Sequence, residues 1–274
     1  MLDFDSTVYV CEFDSWPQSV PKTLTASGVI DKLAGVKQII IKPNLVEILQ
    51  PPITTPVECV EEIVAFFKQN APAMRLIVAE GCGAREYDTL RAFDELGYTD
   101  MAGRREIELM DLNTQELVTR RLPQCSRWPE MHLPRILFES FVISVPQLKA
   151  HSLASVTLSM KNMMGCAPPS HYQKGGHWKK ASFHNDIQNA VLDLNRYRRP
   201  DFVFMDATVG MQEAHLWGPT CNPPHNKLVA SFDPVANDIY GAKLLGREWR
   251  RIGHIKKAAG EIGRAEPFDI VEVV

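Results

Sequence analysis

The chain has 274 residues, of which 45% are hydrophobic and 23% charged, and a net charge of −3. That is enough chain for one large α/β unit, and the composition is that of an ordinary globular protein rather than a fibrous or disordered one. With basic residues clustered only briefly, at 196–199 and 247–251, neither nucleic acid nor a membrane surface is indicated as a partner.

The first segment, Val8-Tyr9-Val10-Cys11-Glu12-Phe13, alternates like a strand. Pro21 then opens a helical stretch to Leu33. Gln38-Ile39-Ile40-Ile41 is a short buried strand, stopped by Lys42-Pro43-Asn44. Thr55-Pro56 reads as a helix start with Thr55 as cap, and Val57, Val60, Ile63, Val64 and Phe67 form one apolar face. Arg75-Leu76-Ile77-Val78-Ala79 is the next strand, and a helix over about 87–96 closes at Gly97. Alternation of strand and helix predicts a parallel sheet with right-handed crossovers. Segments 107–112 and 116–122 then look like an antiparallel pair around Asn113-Thr114. Later come a strand over 136–145, a helix at about 185–194, strands 202–205 and 228–232, helices at about 235–245 and 252–262, and a last strand 269–274. The expected fold is therefore α/β: a mostly parallel sheet flanked by helices, with an antiparallel subregion. A single domain over 1–274 is expected, with an irregular loop at about 166–183. That loop is rich in Pro, Gly, Ser, His and Lys, has few apolar anchors, and should lie over a site.

The most informative stretch is V-P-Q-L-K-A-H-S-L-A-S-V-T-L-S-M-K-N-M-M-G, from Val145 to Gly165. It places Lys149, His151, Lys161 and Asn162 in an otherwise apolar, small-residue run, directly after Phe141-Val142-Ile143-Ser144-Val145. Lysine is rarely buried without a partner, so such a density of polar groups points to a site that binds an anion and moves a proton. Other strand ends carry polar groups too: Lys42 and Asn44, Glu80, Asp206 and Asp233. In an open parallel sheet, ligands bind outside the carboxyl ends of the strands. The expected catalytic residues are His151, Lys149 and Lys161, and the expected substrate-binding residues are Lys42, Asn44, Asn162, Glu80, Asp206 and Asp233. Asp233 has an equally ready role as cap of the helix that follows it. These groups should share one cleft.

The histidines at 171, 177 and 184 raise a divalent metal as a candidate cofactor, with His177 the best placed of them as a ligand. Their spacing matches no compact metal motif. Cys11, Cys59, Cys82, Cys125, Cys166 and Cys221 are dispersed with no C-x-x-C pair, which predicts reduced thiols and no iron–sulfur cluster. The acidic start M-L-D-F-D-S-T lacks the features of a signal peptide, and no apolar run matches a bilayer span, so a cytoplasmic location is expected and no membrane. Gly81-Cys82-Gly83 lacks the third glycine of a dinucleotide fingerprint, and neither a phosphate-binding loop nor a nucleophile elbow is present.

Several segments together resemble one family. Ile41-Lys42-Pro43-Asn44-Leu45, Thr54-Thr55-Pro56-Val57, Val145-Pro146-Gln147-Leu148-Lys149-Ala150-His151, Val156 to Gly165, Arg199-Pro200-Asp201-Phe202 through Met205-Asp206-Ala207, and Ala230 to Asp238 are similar, in order, to motifs of the domain of unknown function 362 family. Gln147, Ala150 and the segment 213–217 depart from its pattern. The resemblance implies an α/β fold and a cytoplasmic protein of prokaryotic style. Many members carry an added ferredoxin-like module, whose closely spaced cysteines this chain lacks. Two readings stand open: an enzyme acting on a small anionic metabolite, metal-assisted or not, by Lys/His acid–base chemistry; or a non-catalytic cofactor-binding or accessory protein for a redox partner. The oligomeric state is not legible in the sequence.

Overall fold

A computed structural model describes residues 5–274. In chain order its elements are β1 (Val8–Glu12), α1 (Trp16–Ser27), β2 (Gln38–Lys42), α2 (Val57–Asn70), β3 (Arg75–Glu80), α3 (Thr89–Glu95), α4 (Tyr98–Arg105), β4 (Glu108–Asp111), β5 (Leu117–Arg121), β6 (Glu130–Pro134), β7 (Phe141–Ser144), β8 (Gln147–His151), β9 (Ser155–Thr157), α5 (Ser159–Asn162), α6 (Pro169–Tyr172), α7 (Ile187–Tyr197), β10 (Phe202–Met211), β11 (Lys227–Ser231), α8 (Pro234–Leu244), α9 (Gly253–Ala258) and β12 (Ile270–Val273).

A ten-stranded sheet runs in the order β12-β1-β11-β10-β7-β2-β3-β4, with β8 and β9 attached beyond β7 alongside β10. The block β10-β7-β2-β3-β4 is parallel, whereas β11 is antiparallel to both of its neighbours. The period of two along each strand sends alternate side chains to opposite helical layers. On β10, Val203, Met205 and Ala207 join one core with α7, α8 and α9, while Phe202 and Phe204 join the other with α1, α2 and α4. On β2, Ile40 goes to the first core and Ile39 and Ile41 to the second.

β10 is long enough to pair twice. Its start lies beside β7, with Phe202 opposite Ile143, and its later part beside β8, with Asp206 opposite Gln147 and Met211 opposite Lys149. β8 therefore extends past the carboxyl ends of β2 and β3, and the antiparallel β9 returns beside it with Thr157 opposite Lys149. That overhang forms one wall of the site.

Several sequence expectations need correction. Helix α1 begins at Trp16, and Pro21 lies inside it; a proline so close to the start of a helix forfeits few amide bonds. The segment up to Leu33 is a separate 3-10 turn after Gly28, which sits at φ 65°. Thr55 does not cap α2. Its hydroxyl donates to the Val145 carbonyl at 2.8 Å and accepts from the Asn44 amide at 2.8 Å, tying the outlet of β2 to the start of β8. Gly97, at φ 80°, both ends one helix and starts another, α4. The pair predicted around Asn113-Thr114 does not form: β4 is a parallel strand of the main sheet, and β5 pairs with β6. Asp111 closes a turn there, its side chain accepting from the Asn113 amide at 2.8 Å, and redirects the chain out of the sheet. The strand expected over 136–145 is a 3-10 turn over Arg135–Phe138 followed by β7. The loop at 166–183 is better anchored than expected, because Cys166, Ala167, Tyr172 and Phe183 are all in the core.

Candidate functional site

At the carboxyl ends of β2 and β3, Lys42 and Glu80 form a buried ion pair, Nζ to Oε2, at 2.8 Å. Glu80 is further committed, accepting from the Gly81 amide at 2.8 Å and the Leu45 amide at 3.3 Å. Two buried charges are stable only when paired and hydrogen-bonded in this way. Asn162 joins the pair to the rest of the site: its Oδ1 accepts from Lys42 Nζ at 3.3 Å and Asn44 Nδ2 at 3.0 Å. The other end of the Asn44 amide accepts from Lys149 Nζ at 2.8 Å, and Lys149 also donates to the Ile53 carbonyl. Gly165 lies directly over this network. A Cβ there would stand 1.8 Å from Glu80 Oε1 and 2.7 Å from Lys42 Nζ, so only glycine fits.

Above the network is a cavity of about 320 Å³. Asn44, Glu80, Lys149, His151, Lys161 and Asn162 line it, together with Thr157, Lys180, His184 and His215; Val46, Leu153, Met164, Trp178, Leu216 and Trp217 supply its apolar wall. Helix α5 delivers Lys161 and Asn162. Although only one turn long, it is fixed by the buried Asp238 of α8, which accepts from the Ser159 amide at 2.8 Å, the Ser159 hydroxyl at 2.6 Å and the Met160 amide at 3.1 Å. Burial pushes the Asp238 carboxyl up to about 7 against these hydrogen bonds.

The lysines around the cavity differ in one respect. Lys42, Lys149 and Lys180 all donate to fixed protein acceptors, Lys180 to Asn113 and the Ala167 carbonyl. Lys161 Nζ has no hydrogen-bond or ion-pair partner among the described residues. Burial pushes the Lys161 ammonium down to about 8. Burial, and then the charge of Lys161, push Lys149 down to about 7. Lys180 is also brought to about 7, by burial opposed by Glu80.

Burial lowers the proton affinity of the imidazoles that line the cavity, those of His151, His184 and His215, and keeps them neutral. His151 Nδ1 accepts from the Leu153 and Ala154 amides, each at 3.1 Å, which leaves the ring proton on Nε2. Burial, then Lys161 and His215, drive its proton affinity far below the usual histidine range. His215 stacks on it with ring centroids 4.0 Å apart and is itself pushed down to about 3 by burial and by Lys161. His151 was expected as the acid or base. Its geometry makes it an N–H donor, and the groups poised near neutrality are Lys149, Lys161 and Lys180.

Of the residues expected at the site, Asn44, Glu80, Lys149, His151, Lys161 and Asn162 line the cavity, and Lys42 lies just behind Glu80. Asp206 and Asp233 do not. Asp206 projects from β10 toward α2, where its charge reaches Cys59, and its oxygens are taken by Gln147 at 2.9 Å and by Thr208 N and Oγ1 at 2.8 and 2.7 Å. Asp233 caps α8, accepting from the Val235 amide at 2.8 Å, the Ala236 amide at 3.1 Å, Ser6 Oγ at 2.6 Å and the Arg264 amide at 2.6 Å. His177 is exposed and does not line the cavity; its neighbour Trp178 does. Among the described residues no group of three or more His, Cys, Asp or Glu side chains could hold a metal ion. Sequence reasoning missed Thr157, Lys180 and His215 as lining groups. Lys180 lay within the loop singled out, and His215 lay in the segment that departs from the family pattern.

No curated protein sequence matches the chain. A solved structure that resembles it is that of the lactate racemase apoprotein from Thermoanaerobacterium thermosaccharolyticum, with a TM-score of 0.51 at 12% identity. The match covers 86% of this chain and 56% of that one, so this chain spans little more than half the racemase's length. At that identity the likeness establishes a shared α/β fold. The family model described as "Domain of unknown function (DUF362)" matches residues 39–243. The chain belongs to this family.

Proposed function

We propose that this member of the DUF362 family binds a small anionic metabolite, a carboxylate or phosphate, in the cavity at the ends of β2, β3 and β8, and acts on it by lysine-centred proton transfer. The observation that carries this reading is the Lys161 ammonium, without a partner among the described residues and facing a cavity in which the one carboxylate contributed by those residues, Glu80, is already paired with Lys42. Such an ammonium is satisfied by an incoming anion. His151 would add an N–H donor to the anion, and Asn44 and Asn162 would hold the lysines in register. Lys149 and Lys161, near neutral in proton affinity, are suited to give and take a proton at physiological pH. The fold shared with a racemase of lactate does not carry this reading; the cavity does. Among the described residues the metal-ligating donors do not gather into a dedicated metal site, so no step is routed through a metal. No helix among the described residues is long and apolar enough to cross a membrane. A cytoplasmic location fits the buried, unpaired state of all six cysteines.

The test is thermal unfolding of the wild type and of Lys161→Met with inorganic phosphate or sulfate added. The wild-type melting temperature should rise with anion, and the variant should bind roughly ten- to a hundredfold more weakly, the equivalent of losing one charged hydrogen bond of about 1.5–3 kcal/mol. A wild type indifferent to small anions, alongside a strongly destabilised variant, would make Lys161 a structural residue and favour a non-catalytic cofactor-binding or accessory role.

A further inference from the structure

The cavity wall is divided by polarity. Asn44, Glu80, Lys149 and Asn162 are buried at its floor, beyond the strand ends. Among the described lining residues only Ser152, Leu153 and Trp217 are exposed, so these three form the rim. Two of them are large and apolar: Trp217 is 78% exposed and Leu153 57%. One such side chain in water is ordinary, but two on the rim of a charged cavity mark a surface that a ligand covers. Their backbones are held there. The Leu153 amide donates to His151 Nδ1 at 3.1 Å, and its carbonyl accepts from Gln188 Nε2 at 3.4 Å. Trp217 follows the buried Leu216 and the His215 ring that stacks on His151. Trp178 is half-buried in the same wall, and the Lys179 amide next to it donates to the Gly83 carbonyl at 2.8 Å. A cavity of about 320 Å³ lies within the range of ordinary ligand pockets, roughly 300–1,000 Å³, and leaves room for more than a bare anion.

We propose that the occupant of this cavity is an aromatic carboxylate, with its carboxylate at Lys161 and its ring at the rim between Trp178, Trp217 and Leu153. The inference rests on the anion-binding reading and narrows it to one class of anion. Of the cavity lysines, Lys161 alone has no acceptor among the described residues, and one free ammonium is matched by one carboxylate. The two indoles and the imidazoles of His184 and His215 line the way from floor to rim with flat rings. Aromatic rings meeting edge-to-face or offset gain attraction beyond the burial of their area, so a planar body suits this wall better than a flexible chain. Such a ring also covers the exposed Trp217 and Leu153 and shields the ion pair beneath it from water.

Four probes test this by isothermal titration of the whole protein. Acetate carries the charge alone, phenylacetate the charge and an aromatic ring, cyclohexylacetate the charge and a saturated ring, and 2-phenylethanol the ring without the charge. Phenylacetate should bind about tenfold or more tightly than acetate, and more tightly than cyclohexylacetate and 2-phenylethanol. In Trp217→Ala the advantage of phenylacetate over acetate should shrink by about threefold or more. If acetate and phosphate bind but phenylacetate binds no more tightly than acetate, the aromatic-carboxylate inference falls and the anion site stands. Equal binding of cyclohexylacetate and phenylacetate, or an unchanged phenylacetate advantage in Trp217→Ala, overturns the aromatic subsite in the same way. If 2-phenylethanol binds as tightly as phenylacetate, or if neither phosphate nor any of the four binds, both readings fall.

Discussion

Lys161 and Gly165 sit four residues apart and make opposite demands on the protein. Lys161 is a charge without a partner among the described residues, and Gly165 is an absence of side chain that lets other charges meet. Gly165→Ala should drive a methyl group into the Lys42–Glu80 pair. Because splitting a buried pair leaves uncompensated charge, the expected loss is about 3–5 kcal/mol, read by chemical denaturation. For Lys161 the sign of the pH dependence follows from burial. Its folded pKa, about 8, lies below the unfolded value of 10.5, so the folded state resists the proton between those values. Its contribution to stability is greatest above the unfolded value and is lost as pH falls through about 8. Lys161→Met removes this effect, while Lys149, His151, His184, His215 and His254 all gain from losing its field. Relative to wild type, the variant should therefore gain stability as pH falls from about 10 to 7, by on the order of 1 kcal/mol after allowing for solvent screening. Paired denaturation curves across that range check it, and a flat difference would place the amine in open water.

At the level of elements, a four-residue helix cannot hold its own shape, because nucleation is unfavourable and too few internal bonds follow. Helix α5 borrows its order from α8 through Asp238, and from α7 through Asn195. Asp238→Ala would leave the Ser159 and Met160 amides buried and unsatisfied, at a cost of about 1–3 kcal/mol each. The expected result is a lower melting temperature together with loss of the phosphate response, because the turn that presents Lys161 and Asn162 loosens. Asp238→Asn keeps one acceptor oxygen and should fall between the two. A variant that loses stability but keeps its full phosphate response would show that α5 is positioned without Asp238.

For the whole molecule, the sheet is a shared wall between two cores. Phe204 faces one layer and Met205 the other from adjacent positions on β10, so neither layer can unfold and leave the strand intact. A single cooperative transition is expected, with far- and near-ultraviolet circular dichroism coincident. Phe204→Ala and Met205→Ala should each lower that one transition, by about 3–5 and 2–5 kcal/mol respectively. Two separable transitions, one moved by each variant, would divide the chain into two units.

The alternation of β1, the short apolar runs of β2, β3 and β10, and the placing of lysines and amides just beyond strand ends are local patterns, and they were legible in the sequence. A polar group in an apolar frame carries its own signal, which is why Asn44, Glu80, Lys149, His151, Lys161 and Asn162 could be picked out before their positions were known. What local pattern does not carry is the partner. Asp206 and Asp233 share that strand-end signature, yet one turns toward α2 and the other caps α8, because strand parity and the nearest open amides decide where a carboxylate points. His215 reaches the site only because a segment more than 60 positions after His151 folds back to stack on it. Above all, nothing in the sequence separates Lys161 from Lys42, Lys149 and Lys180 by whether it has a partner. Hydrogen-bond acceptors drawn from distant segments leave just one of them, Lys161, without a partner among the described residues, and pairing at hydrogen-bond range is a property of the assembled tertiary structure.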